Sequence, residues 1–124
     1  MFIGLRTASY FAPDLAAARA WYTRVLGIEP YFAEPFYVGY NVGGYELGLN
    51  PDPALGLSGV GGAVPYWGVA NAERAHARLL ELGAAPLAPV QDVGEGIKVA
   101  IVRDPFGNAL GIIENPHFDA AKAQ

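Results

Sequence analysis

Few residues of this 124-residue chain could carry acid–base, nucleophilic or metal chemistry. The chain has no cysteine, which excludes disulfides, thiolate metal sites and thiol nucleophiles. Of its two histidines, we expect His76 to be partly exposed in mid-helix and His117 to be solvated near the C-terminus. The sequence contains no paired carboxylates, no Ser-His-Asp set and no phosphate-binding loop. Glu46 is therefore the main candidate for a general base or for binding a cation.

The bulk composition limits the classes of partner. Hydrophobic residues make up 52% of the chain and charged residues 16%, so we expect some apolar surface to be covered by a partner chain. The net charge is −4 and no basic cluster is present, which argues against nucleic acid. No signal peptide and no apolar run of ~20 residues is visible. We expect a cytoplasmic protein that does not enter a membrane.

The first half of the chain has the pattern of one helix among several strands. Residues 3–11 are typical of a strand, and Asp14 is a plausible N-cap for a helix that ends at Leu26, before Gly27. Residues 28–50 predict two or three strands, with a turn at Gly43–Gly44.

The second half has the same plan. Residues 63–70 predict a strand, and residues 71–82 predict a helix with Asn71 as its N-cap. Further strands are predicted around Val90 and in residues 97–102 and 109–113. The turn DPFGN separates the last two.

Spacing supports an internal repeat. The step from Asp14 to Leu26 is twelve residues, as is the step from Ala70 to Leu82, and YELGLNP lies alongside LGIIENP. We predict an α+β protein with one domain built of two modules, about 3–51 and 63–116. A linker of about 52–62 joins them, and 117–124 forms a tail.

Taken in order along about 3–116, several motifs resemble the vicinal oxygen chelate superfamily, which includes glyoxalase I, extradiol dioxygenases and the fosfomycin- and bleomycin-resistance proteins. The matching motifs are Pro13-Asp14-Leu15, Trp21-Tyr22, Leu26-Gly27, Leu82-Gly83 and Asp104-Pro105-Phe106-Gly107-Asn108. The resemblance implies two βαβββ modules that form an open barrel. It also implies a homodimer, with a ligand cavity inside each curved sheet pair.

The resemblance also implies four metal-ligand positions, usually filled by His, Glu or Gln. By spacing they fall on Thr7, Glu46, Val64 and Gly111, with Ala63 as a one-residue alternative to Val64. One carboxylate and one hydroxyl are too few, since catalytic metal sites normally have about three protein ligands. Glu114 is no substitute, because its odd offset from Gly111 directs it to the opposite face of the strand. We therefore expect no metal and no other cofactor.

Alternation along the strands predicts which residues share the cavity face with these four positions. Many are small, which indicates either a roomy pocket or a strongly bent sheet. Aromatic residues cluster nearby, either as ligand-stacking groups or as core and dimer contacts. The predicted ligand-binding residues are Leu5, Thr7, Ser9, Phe36, Tyr40, Glu46, Gly48, Val64, Tyr66, Gly111 and Ile113.

These features lead to three functional hypotheses. The first is a metal-free homodimer that sequesters or carries a small apolar or aromatic molecule. In one form of this hypothesis the molecule is also cationic. The second is an enzyme of the same fold. It is either a glyoxalase-like lyase, isomerase or dioxygenase whose divalent metal is held by residues other than the four positions above, or a metal-free enzyme with Glu46 as general base. The third is a structural module whose cavity has collapsed.

Overall fold

The computed structural model describes residues 1, 3, 5–53 and 64–117. These residues form two compact units, one within Ile3–Ala63 together with Phe106–Asn108, the other within Val64–Pro105 and the segment from Ala109 onward. Most of the predicted linker, all but one residue of the predicted tail, and Ala63 lie outside the described residues.

The first unit contains one helix and four strands, in the order β1 (Thr7–Phe11), α1 (Leu15–Leu26), β2 (Phe32–Glu34), β3 (Tyr37–Val42) and β4 (Tyr45–Asn50). The strands form an open mixed sheet in the spatial order β1-β4-β3-β2. β1 is parallel to β4, and the other pairs are antiparallel.

The second unit repeats this connectivity with β5 (Tyr66–Gly68), α2 (Ala72–Glu81), β6 (Ala85–Gly94), β7 (Ile97–Arg103) and β8 (Ala109–Glu114). Its sheet order is β5-β8-β7-β6, and β5 is parallel to β8. The prediction of an α+β fold with two βαβββ modules is confirmed. Neither helix of the described residues is long and apolar enough to cross a membrane.

The helix boundaries follow from their capping residues. The Asp14 side chain accepts a hydrogen bond from the Ala17 amide at the start of α1, and the Asn71 side chain accepts one from the Arg74 amide at the start of α2. Gly27 ends α1 in the left-handed conformation, with φ of 70°.

The core of the first unit lies between α1 and one face of its sheet. Trp21 and Tyr22 of α1 are buried, as are Leu47 and Leu49 of β4. The register Tyr40↔Leu47 places Tyr40 on this same face, where it is fully buried. Its hydroxyl donates to the Arg19 carbonyl oxygen of α1. This corrects the prediction that Tyr40 contacts a ligand: the residue belongs to the core.

Two strands are shorter than the sequence indicates. β1 begins at Thr7 rather than at residue 3, and β5 begins at Tyr66 rather than at residue 63. Pro65 precedes β5 and has no amide hydrogen to donate to a strand ladder. Val64 therefore lies outside the strand, and its side chain is half-buried.

Candidate functional site

Thr7 and Glu46 lie side by side on neighbouring strands. The parallel pairing of β1 with β4 sets Thr7 against Glu46 and Ser9 against Gly48. Thr7 and Ser9 are exposed, whereas the alternating residues Ala8 and Tyr10 are buried towards the core. The face that carries Thr7 and Glu46 is therefore the sheet face opposite the helix.

Glu46 accepts hydrogen bonds from three hydroxyl groups. The Tyr37 hydroxyl donates to Oε2 at 2.5 Å, and the Tyr31 hydroxyl donates to Oε1. Thr7 Oγ1 makes a longer contact of 3.4 Å with Oε2. Both oxygens of this half-buried carboxylate are thereby held in fixed positions.

Two glycines make this arrangement possible. A Cβ at Gly48 would lie 2.7 Å from Tyr37 Cζ, and a Cβ at Gly39 would lie 2.9 Å from Glu46 Oε1. Distances this short are not compatible with unstrained packing. In the first unit, the Tyr37 ring therefore occupies the space that the missing side chain of Gly48 leaves free.

A cavity of about 270 Å³ opens beside Glu46, at the ends of β1 and β4. Its wall combines a cation, an anion, hydroxyl and amide groups, and tyrosine rings. The lining residues are Arg6, Thr7, Tyr31, Asn41, Gly44, Tyr45 and Glu46.

Several other predicted site residues of the first unit lie outside this wall. Leu5 is exposed just before β1, and Ser9 is exposed two residues beyond Thr7. Phe36 is exposed in the turn between β2 and β3, where its ring makes an edge contact with Phe32. None of these three side chains lines the Glu46 cavity.

In the second unit, Tyr66 and Gly111 occupy the paired positions that Thr7 and Glu46 occupy in the first. The parallel register sets Tyr66 against Gly111 and Gly68 against Ile113. A Cβ at Gly111 would lie 2.8 Å from both the Pro65 carbonyl oxygen and Tyr66 Cδ1. The Tyr66 ring therefore covers the glycine, and any larger side chain at position 111 would displace it.

Five of the seven residues that line the cavity are absent from the predicted ligand-binding set: Arg6, Tyr31, Asn41, Gly44 and Tyr45. Tyr37, which does not line the cavity but donates a hydrogen bond to Glu46, is absent from that set too. A signal for Tyr37 was present, because a two-residue turn at Gly43–Gly44 sets Asn41 opposite Glu46. Counting back by twos from Asn41 then reaches Gly39 and Tyr37.

Comparison with known proteins agrees with this architecture. A family profile described as Glyoxalase/Bleomycin resistance protein/Dioxygenase superfamily matches residues 4–112. The chain belongs to this superfamily. No curated protein matches it.

Solved structures of the glyoxalase superfamily share this fold at low sequence identity. A glyoxalase-related enzyme from Fulvimarina pelagi superposes with a TM-score of 0.76 at 22% identity, covering 93% of this chain and 90% of that one. A lactoylglutathione lyase from Agrobacterium tumefaciens gives 0.72 at 22% identity, covering 96% and 100%. A family enzyme from Burkholderia phytofirmans PsJN gives 0.73 at 20% identity, covering 87% and 95%.

At the four positions that the resemblance implies, this glyoxalase superfamily member lacks the residue types of a divalent metal site. The positions implied by spacing carry Thr7, Glu46, Val64 and Gly111, and the strand register puts Tyr66 in the place of Val64, so the set supplies one carboxylate, two hydroxyls and no imidazole. Across the described ranges, no three His, Asp or Glu side chains are grouped closely enough to share a metal ion. Glu114 cannot complete the set, because its odd offset from Gly111 directs it to the opposite face of β8, where its Oε1 accepts a hydrogen bond of 2.8 Å from the Ala72 amide at the start of α2.

Proposed function

We propose that this chain is a metal-independent binding protein that holds a small organic molecule, part cationic and part aromatic, in the Glu46 cavity. The observation that carries the proposal is the half-buried Glu46 carboxylate in the cavity wall, with three hydroxyl groups directed at it. All three donors are neutral, so they orient the carboxylate without compensating its charge.

The hydrogen-bonding capacity of Glu46 leaves a place for a ligand. An ionised carboxylate offers about four lone-pair positions, of which Tyr31, Tyr37 and Thr7 take three. The ion pairs in the described part of the chain join Arg78 to Glu81 and Lys98 to Glu73, so Glu46 takes part in neither. A ligand ammonium group can supply both the missing donor and the missing positive charge.

The tyrosines suit the rest of such a ligand. Tyr31 is 64% exposed and Tyr45 is 40% exposed, so both rings present accessible faces at the cavity. Aromatic faces attract cations and stack with planar groups. The cavity of about 270 Å³ lies below the range of about 300–1,000 Å³ that is usual for drug-sized ligands, which favours a compact molecule.

The proposal is tested by calorimetric titration with phenethylamine, a compact aromatic amine. We expect Glu46→Gln to weaken binding about ten-fold or more, because it removes the charge but keeps the shape of the side chain. Glu34→Gln is the matched control, because Glu34 is exposed in β2 and does not line the cavity. Equal binding by wild type and Glu46→Gln, or no binding by the wild type, would contradict the proposal.

The rival hypothesis is a metal-free enzyme in which Glu46 removes a proton from carbon. The contact of Tyr37 and Tyr31 with Glu46 favours it, since a carboxylate and a phenol can act as base and acid. Phenylacetone in D₂O provides the test, with deuterium incorporation followed by NMR. Exchange that is faster than in buffer and is lost in Glu46→Gln supports the enzyme; exchange at the buffer rate supports the binding protein.

A further inference from the structure

The Glu46 cavity contains a second fixed charge of the opposite sign. Arg6 lines the same cavity wall as Glu46. The two residues are also joined through the backbone, where the Glu46 amide donates to the Arg6 carbonyl oxygen at 2.8 Å. A positively and a negatively charged residue therefore line one compact space.

These two charges do not neutralise each other. Neither ion pair of the described residues includes Arg6 or Glu46. Arg6 Nη1 donates to the carbonyl oxygen of its own neighbour Leu5 at 3.3 Å, which uses one of the five guanidinium N–H groups. Glu46 is held instead by neutral hydroxyls. Arg6 thus retains donors for an anionic group while Glu46 retains an acceptor for a cationic one.

We infer that the ligand is a compact zwitterion of the amino-acid type. Its ammonium group binds Glu46, its carboxylate binds Arg6, and its side chain lies against Tyr31 and Tyr45. Arginine suits the second role, because its planar guanidinium can donate two parallel hydrogen bonds to a carboxylate. This inference rests on the proposed function and adds to it the anionic half of the ligand.

Three probes that share one phenyl group separate the two halves of the ligand. Phenylalanine carries both charges at neutral pH, phenethylamine carries only the ammonium, and 3-phenylpropanoate carries only the carboxylate. Each is titrated calorimetrically into wild type, Arg6→Gln, Glu46→Gln and the control Arg24→Gln, whose arginine is exposed on α1 and outside the cavity wall.

We expect the wild type to bind phenylalanine about ten-fold or more tightly than phenethylamine, since the second charged contact adds affinity. Arg6→Gln should remove this advantage, because it loses the contact with the carboxylate while Glu46 still binds the ammonium group of both amines. Glu46→Gln should weaken the binding of both amines, and Arg24→Gln should weaken neither.

The other outcomes have distinct meanings. If phenethylamine binds through Glu46 as tightly as phenylalanine does, the zwitterion is overturned and the proposed function stands. If Arg6→Gln binds phenylalanine as tightly as the wild type does, Arg6 does not hold the carboxylate, and the zwitterion is again overturned. If 3-phenylpropanoate binds tightest, or none of the three binds, both the inference and the proposed function fail.

Discussion

At the scale of single residues, Tyr40 joins the sheet of the first unit to α1 through hydrogen bonds of its hydroxyl. It is fully buried, and its hydroxyl lies 2.8 Å from Thr23 Oγ1 and 2.9 Å from the Arg19 carbonyl oxygen. Tyr40→Phe should lower the free energy of unfolding by about 1–2 kcal/mol, because it leaves these part-buried groups without their partner. Ligand binding should be unchanged. Urea denaturation, with the exposed Tyr45→Phe as control for stability, measures the effect.

The same residue predicts a pH dependence. Burial raises the pKa of the Tyr40 phenol above its ordinary value near 10. The folded state then holds the proton more tightly than the unfolded chain, so the stabilisation is complete below about pH 10 and is lost as the pH rises through the raised pKa. Tyr40→Phe lacks this group and should lose less stability than wild type in that range. A parallel decline of the two proteins would contradict the prediction.

Residue types alone could identify Glu46 but not all of its surroundings. Tyr37 and Tyr40 are three residues apart on β3, and an odd offset directs them to opposite faces. Tyr40 is among the residues predicted to bind the ligand, but the pairing of β3 with β4 places it on the core face. Tyr31 precedes β2 and lies outside any strand, so no periodicity constrains where its hydroxyl reaches.

At the scale of elements, α2 is fastened to its sheet at its first turn. Glu114 of β8 accepts a hydrogen bond from the Ala72 amide, and Asn71 accepts one from the Arg74 amide. Glu114→Ala should lower the free energy of unfolding by about 1 kcal/mol, because an amide at the positive end of the helix loses its carboxylate partner. Denaturation followed by circular dichroism checks this value. The exposed Glu34→Ala is the control, and an equal loss in the two variants would refute the capping role.

Helices were the easiest elements to predict and strand ends the hardest. Asp14, Gly27 and Asn71 are local signals, and the structure places all three at the helix ends they indicate. β5 depends instead on pairing with a strand more than forty residues away along the chain, and Pro65 truncates its start. The register shifts of β6 fall between Pro86 and Ala88, between Ala88 and Gln91 and between Asp92 and Gly94, close to Pro86, Pro89 and Gly94, residue types that are typical of bulges and edge strands.

At the scale of the whole molecule, the two units have the same strand connectivity but different residues at equivalent positions. The first pairs Thr7 with Glu46, and the second pairs Tyr66 with Gly111. The internal repeat and the resemblance together predicted the fold, because both depend on patterns along the chain. They could not predict that the Tyr66 ring covers Gly111, because this depends on the register of one short strand. The homodimer implied by the resemblance stays a prediction.

The residues at the implied ligand positions lead to a prediction about metal removal. Protein freed of any affinity tag and dialysed against EDTA should keep its melting temperature and its affinity for phenethylamine, because Glu46 is the single carboxylate at the implied ligand positions and no imidazole accompanies it. Titration with nickel, zinc, manganese and iron(II) checks this directly. Weak binding that disappears in His117→Ala would reflect the exposed histidine alone. One equivalent bound tightly, and lost in Glu46→Gln, would contradict metal independence and restore the metal-dependent enzyme as the leading hypothesis.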